Sequence, residues 1–189
     1  MYEGTDTIVL YEELAYEDVL PLAWKPHREP LDPAVVTSFS ERNLHVLQAC
    51  AAIEEHGQQE KKDDTSPVAG ELLRLDLKVN LLLDLLGQLV VANNPRPPAT
   101  PVRFNALGAT WKASGGAALP TGDGVLELYL RDSLPQPLRL LGRITAADAD
   151  GRVKARFIPP SETIADLIEK LAFRRHRRQI AGARQSRRA

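Results

Sequence analysis

The chain has 189 residues, 43% hydrophobic and 26% charged, and its 24 Lys and Arg against 25 Asp and Glu leave a formal net charge of −1. That balance excludes a global pull toward nucleic acid or anionic membrane, and it supplies apolar residues for one domain with an insertion or for two small ones. A single cysteine, Cys50, excludes an intrachain disulfide and points to a reducing compartment.

Residues 1–24 carry Glu3, Asp6, Glu12, Glu13, Glu17 and Asp18 with no Lys or Arg. Without a basic n-region and an apolar h-region, this stretch does not read as a signal peptide, so a cytoplasmic protein is expected. Thr7–Tyr11 and Leu20–Trp24 have the β-branched and aromatic character of extended segments. Asp32-Pro33 then offers a cap and a first helical residue, with Ser40 as a second possible start. The helix it opens would carry Val36, Phe39, Val46, Cys50 and Ile53 on one face and stop at His56-Gly57. Gln58–Thr65 is wholly polar and reads as the loop of a helical hairpin.

Ser66-Pro67 opens a second, longer helix that Asn93-Asn94-Pro95 ends. At 1.5 Å per residue it is about 40 Å long. Val68, Leu72, Leu75, Val79, Leu82, Leu86 and Leu89 alternate along it at spacings of four and three, an unbroken a/d heptad. Leu83 and Val90 fall at e and Leu85 at g. A dimer would leave these flanks wet, whereas four helices bury them, so a homotetramer is favoured over a dimer. In the same reading Leu73, Leu77 and Leu81 lie on other faces and pack on helix 33–56 or the barrel. The competing reading is a single helix buried on its own barrel. Glu71, Arg74, Asp76, Lys78 and Asp84 make the stretch a poor membrane span.

Past Pro95 the pattern turns to β: Pro101–Ser114, Gly124–Asp132, Pro137–Ala146 and Arg152–Ile158, separated by Gly, Pro and Asp turns. Short strands at this spacing predict an antiparallel barrel or sandwich. Pro159-Pro160-Ser161 starts a third helix whose apolar face is Ile164, Leu167, Ile168 and Leu171. Its acidic start and Arg-rich end suit the helix dipole. The arginines from Arg174 to Arg188 read first as a solvated tail and second as a contact for nucleic acid. His27, His45, His56 and His176 lack metal-ligand spacing, and Cys50 reads as core rather than nucleophile. Neither Ser114-Gly115-Gly116 nor Thr121-Gly122-Asp123-Gly124 opens a helix, so both read as turns and not phosphate loops. No catalytic constellation, metal site or cofactor is evident.

Val102-Arg103-Phe104-Asn105-Ala106-Leu107-Gly108, followed by the strand Ala109-Thr110-Trp111 and the turn Gly122-Asp123, resembles the core of PilZ domains. Members carry Asp/Asn-x-Ser-x-x-Gly at a strand end and Arg-x-x-x-Arg ahead of the barrel, and bind cyclic di-GMP with them. Gly108 matches the motif glycine; Arg103 stands at the Asp/Asn position and Asn105 at the Ser position. Ahead of the strands only Lys25-Pro26-His27-Arg28 is basic, at the wrong spacing, while Arg174 and Arg178 show the spacing at the wrong end of the chain. With its helical insertion, the chain resembles the atypical, tetrameric, xanthomonad-type PilZ group.

The resemblance implies an α+β chain. Residues 1–32 and 96–159 would form a discontinuous PilZ-like antiparallel barrel, 33–95 an inserted helical hairpin, 160–183 a C-terminal helix and 184–189 a basic tail. It implies a noncatalytic oligomeric regulator or adaptor in cyclic di-GMP-related signalling, partnered by itself and by another signalling protein. The usual mode of cyclic di-GMP binding is not expected. The alternatives are a receptor with a relocated site at Arg174 and Arg178, and a nucleic-acid-associated protein acting through the Arg-rich end.

Overall fold

The computed structural model describes residues 14–27, 31–59, 67–93, 95–113 and 119–186. Thr7–Tyr11, the acidic residues Glu3 to Glu13 and the final residues 187–189 lie outside them. Strand β1 (Tyr16–Pro26) is followed by helices α1 (Pro33–Gln59) and α2 (Pro67–Asn93). Then come β2 (Ala99–Phe104), β3 (Gly108–Lys112), β4 (Asp123–Leu128), β5 (Leu138–Ala147), β6 (Arg152–Phe157) and α3 (Glu162–Ser186).

The six strands close an antiparallel barrel in the order β1-β2-β3-β6-β5-β4. Closure rests on β1, whose first half (Tyr16–Pro21) pairs with β2 and whose second half (Leu22–Pro26) pairs with β4. Alternation directs Val102, Phe104, Ala109, Trp111, Leu126, Leu128, Val153, Ala155 and Phe157 inward. The Trp24 and Trp111 rings stack in this core with centroids 6.0 Å apart, and Tyr16 lies 5.3 Å from Phe104. Gly124 and Gly142 face each other across β4 and β5, and each is hard against a neighbour. A Cβ at Gly124 would collide with the Trp24 indole and lie 2.8 Å from the Lys25 carbonyl oxygen; one at Gly142 would lie 2.5 Å from the Arg156 carbonyl oxygen.

The run 101–114, expected as one strand, is two. Asn105 ends β2 by turning its side chain onto the backbone, where Oδ1 accepts from Leu107 N (2.9 Å) and Gly108 N (3.1 Å). Such an Asx turn reverses the chain without a Gly-Pro or Asn-Gly pair.

Asp32 caps α1 as its sequence predicts, with Oδ1 accepting from Ala34 N at 2.8 Å. The helix does not stop at His56-Gly57 but runs to Gln59. Gly57 does not take the left-handed conformation of a terminator; among the described residues only Gly122 and Gly151 have positive φ. Asn43, 4% exposed, docks α1 on β5. Its Nδ2 donates to Arg139 O (2.7 Å) and its Oδ1 accepts from Arg139 N (2.8 Å). Val46, Leu47 and Cys50 of α1 join Ile164, Ile168, Leu171 and Ala172 of α3 in the single core cluster, so Cys50 is a buried core thiol.

Helix α2 is different. Among the described residues it makes no extensive packing with any other element. Leu73, Leu77 and Leu81 are 61%, 70% and 58% exposed, so they pack neither on α1 nor on the barrel. Their surroundings contain too little of either to cover them. The helix touches the barrel near its C-terminal end, where Gly87 lies over the backbone of Asp132 and Ser133. A Cβ at this position would make only ordinary van der Waals contact with that backbone. Arg96, just beyond, fixes the joint. Its guanidinium, 11% exposed, donates to the carbonyls of Arg131, Asp132 and Leu134, pairs with Asp132 (3.1 Å) and covers the Tyr129 ring at 5.3 Å.

Candidate functional site

The leucine seam is the first candidate. Leu72, Leu75, Val79, Leu82, Leu86 and Leu89 are all exposed, as are the flanking Leu83 and Leu85. The side chains of Val68 and Val90, the remaining seam positions, lie outside the described residues. Exposure near 60% at Leu75 (59%) and Leu82 (60%) removes the reading of a helix buried on its own barrel. A continuous apolar surface of this kind is the mark of an interaction site. Polar side chains gather in its first half, where Arg74 meets Glu71 (3.4 Å) and Asn80 donates to Asp76 (3.1 Å). The second half is richer in leucine and valine, interrupted by Asp84, Gly87 and Gln88.

The PilZ motif positions occupy the β2–β3 turn, where their chemistry is already engaged. Asn105 is 2% exposed, and both hydrogen bonds of its oxygen belong to the turn. Gly108 begins β3 opposite Arg156. Arg103 points outward and pairs with Glu17 on β1 at 3.0 Å. The arginines singled out at the chain's end are not gathered with them. Arg174 donates to Ala51 O on α1 (3.5 Å), and Arg178 lies one turn further along α3. The arginine that reaches β1 is Arg175, which the spacing did not single out. It pairs with Asp18 at 2.8 Å and lies over the Tyr16 ring at 5.8 Å. Burial and the neighbouring Asp18 push the Tyr16 hydroxyl up to about 12, so it stays protonated and tied to the core.

Outside the barrel, a groove of about 660 Å³ crosses from β1 to β5. Its wall includes Glu17, Arg103, Thr110, Lys112, Arg152 and Lys154. The strand register puts Glu17, Arg103, Thr110, Lys154 and Ala146 in one row across the sheet. The alternation of Val153-Lys154-Ala155-Arg156-Phe157 carries the signal for this face, because a period of two sends every cation of β6 outward.

Beneath α1, Glu127 is buried at 4% exposure and held by Lys25 (2.8 Å) and Arg139 (2.9 Å). Burial alone would raise its pKa, but the two hydrogen-bonded cations outweigh it and lower the value below the ordinary glutamate range. A depressed folded-state pKa contributes stability above the unfolded value and loses it as pH falls through the folded one. Unfolding midpoints of the parent should therefore fall below about pH 4.5. Glu127→Gln should be less stable than the parent at neutral pH, and the difference should shrink on acidification. A gap that stays constant down to the acid limit would contradict this account.

Among the described residues, no group of His, Cys, Asp and Glu is placed to hold a metal, and no helix is long and apolar enough to cross a membrane.

The family model for the atypical PilZ domain, cyclic di-GMP receptor, matches residues 47–185. Among solved structures, a pathogenic protein from Xanthomonas campestris is similar at 26% identity and a TM-score of 0.70, over 89% of this chain and 91% of that one. It is described as a new tetrameric PilZ domain self-assembled via an unusual helical bundle. No curated protein matches the chain.

Proposed function

The chain belongs to the atypical PilZ domain family, and from that premise we propose that it is a noncatalytic, homotetrameric adaptor in cyclic di-GMP-related signalling, assembled through the seam of α2. The observation that carries this reading is the exposure of every described seam leucine on a helix that its own chain leaves uncovered. The tetrameric neighbour from Xanthomonas supports it, since it is similar over nearly the whole of both chains. Four helices suit the seam better than two, because Leu83 and Leu85 flank it and need cover as well.

In this reading the barrel is the interaction module and does not take cyclic di-GMP in the usual mode. A guanine edge needs an acceptor where Arg103 presents only donors, and Asn105 spends its oxygen on the turn. The family's description as a cyclic di-GMP receptor keeps direct binding as the second reading. Titration calorimetry with cyclic di-GMP separates the two. No tight binding is expected; tight binding that is lost on Arg174→Ala or Arg178→Ala would replace the adaptor with a receptor using a relocated site. Light scattering on the full chain is expected to give the mass of four chains, and a monomer would end the assembly reading.

A further inference from the structure

Helix α2 has little to steer it. Among the described residues it packs extensively on no other element, and the barrel contacts described for it lie at its C-terminal end, where Gly87 passes the backbone of Asp132 and Ser133. Between the end of α2 at Asn93 and the start of β2 at Ala99 runs Pro95-Arg96-Pro97-Pro98. Each proline holds φ at about −65°, so the backbone that carries Arg96 is stiff on both sides.

The seat of Arg96 is fixed as well. Leu134 N donates to Arg131 O at 3.2 Å and closes a turn, and the carbonyls of that turn receive the guanidinium. Nη2 donates to Asp132 O (3.0 Å) and Leu134 O (2.9 Å), and Nη1 reaches Arg131 O (3.4 Å). The Tyr129 ring lies beneath at 5.3 Å, and Tyr129 N donates to Pro21 O at 3.0 Å. Pro21 is where β1 passes from pairing with β2 to pairing with β4, so the seat is part of barrel closure. The Asp132 carboxylate, at 3.1 Å, is fully exposed and adds little. The planar fork on the carbonyls sets the geometry, and a lysine ammonium, a point charge on a flexible stem, does not reproduce it.

We propose that Arg96 is a positioning residue that sets the angle between α2 and the barrel, and through it the arrangement of the barrels around the helical seam. The inference rests on the assembly reading above and adds what fixes the geometry of that assembly. The lever is long. Leu72 lies about 22 Å along the axis from Gly87, so a swing of about 20° at the joint carries it about 8 Å sideways, as far as the axes of packed helices are apart. With the seam packed, the same swing moves each barrel instead. The seam alone would hold four barrels on loose tethers. With Arg96 seated the barrels keep a fixed relation, which a partner engaging more than one of them at once requires.

The test reads the angle within one chain of the assembled protein. Spin labels are placed on Arg74→Cys in α2 and Lys112→Cys in β3, both exposed positions, while the native Cys50 is buried. Labelled chains are diluted among unlabelled ones, and the distance between labels is measured by pulsed electron resonance. The parent is expected to give one narrow distance. Arg96→Lys and Arg96→Ala should at least double its width while light scattering still reports four chains. Arg96→Lys keeps the charge and the stem, so it carries the test where Arg96→Ala does not fold. Variants that keep the parent's distribution would overturn the proposal, and earlier melting in them would make Arg96 a stability residue only. Variants that scatter as single chains would overturn it by placing Arg96 in the interface. A broad distribution in a parent that scatters as four would overturn it at the joint alone. A parent that scatters as one chain would overturn the assembly reading, and this inference with it, whatever the distances show.

Discussion

A protein carrying Leu75→Glu and Leu82→Glu is expected to scatter light as one 20.8 kDa chain where the parent scatters as four. Leu75 and Leu82 are both d positions, one heptad apart in the middle of α2, and both are about 60% exposed in the single chain. Burying one leucine side chain contributes about 1.5–3 kcal/mol, and a four-helix layer repeats that contribution in every subunit. Replacing a layer with glutamates removes it and places carboxylates together in an apolar seam, where an unpaired charge costs several kcal/mol more. The two charged layers interrupt the seam between the remaining Val68, Leu72, Val79, Leu86 and Leu89 positions. The barrel should be nearly indifferent, because α2 meets it mainly where Gly87 passes the 132–133 turn. The variant should accordingly melt like the parent's barrel while weighing a quarter as much. A variant with the parent's mass would place the interface elsewhere.

Gly124→Ala is expected to remove about 3 kcal/mol or more of unfolding free energy, at the upper end of the range for overpacking. The added Cβ meets the Trp24 indole and, 2.8 Å away, the carbonyl oxygen of Lys25. A flexible side chain could swing aside. Here one neighbour is backbone in the β1–β4 ladder and the other is a ring stacked on Trp111. The measurement is a urea unfolding curve followed by tryptophan fluorescence, since Trp24 and Trp111 both report on the affected core. A shift of less than about 1 kcal/mol would mean that the β1–β4 contact is looser than described.

The sequence was legible where a local rule had no competitor. Asp32-Pro33 capped a helix as such pairs do, and the heptad of α2 had a period that no strand or loop imitates. It misled where one residue served two grammars. Asn105 and Gly108 fit a ligand motif, and the same spacing also makes an Asx turn that splits the β-type run 101–114 into two strands. Gly57 looked like a terminator but kept a helical backbone. The site's charge pattern was hidden for another reason. Arg175 with Asp18, Lys25 and Arg139 with Glu127, and Lys112 opposite Arg152 are partners far apart along the chain. Only the closed register brings them together.

The position of β1 also sets the order in which the molecule can be made. Its partners, β2 and β4, are synthesised after both α1 and α2, so Tyr16–Pro26 waits through two full helices before any strand exists to pair with it. Closing such a long loop is entropically costly and slows folding. The seam of α2, by contrast, is a local structure that is complete before the first residue of β2 emerges. On a polysome, neighbouring nascent chains therefore display their leucines to one another while their barrels are still open. If the seam assembles the protein as proposed, that assembly competes in time with barrel closure.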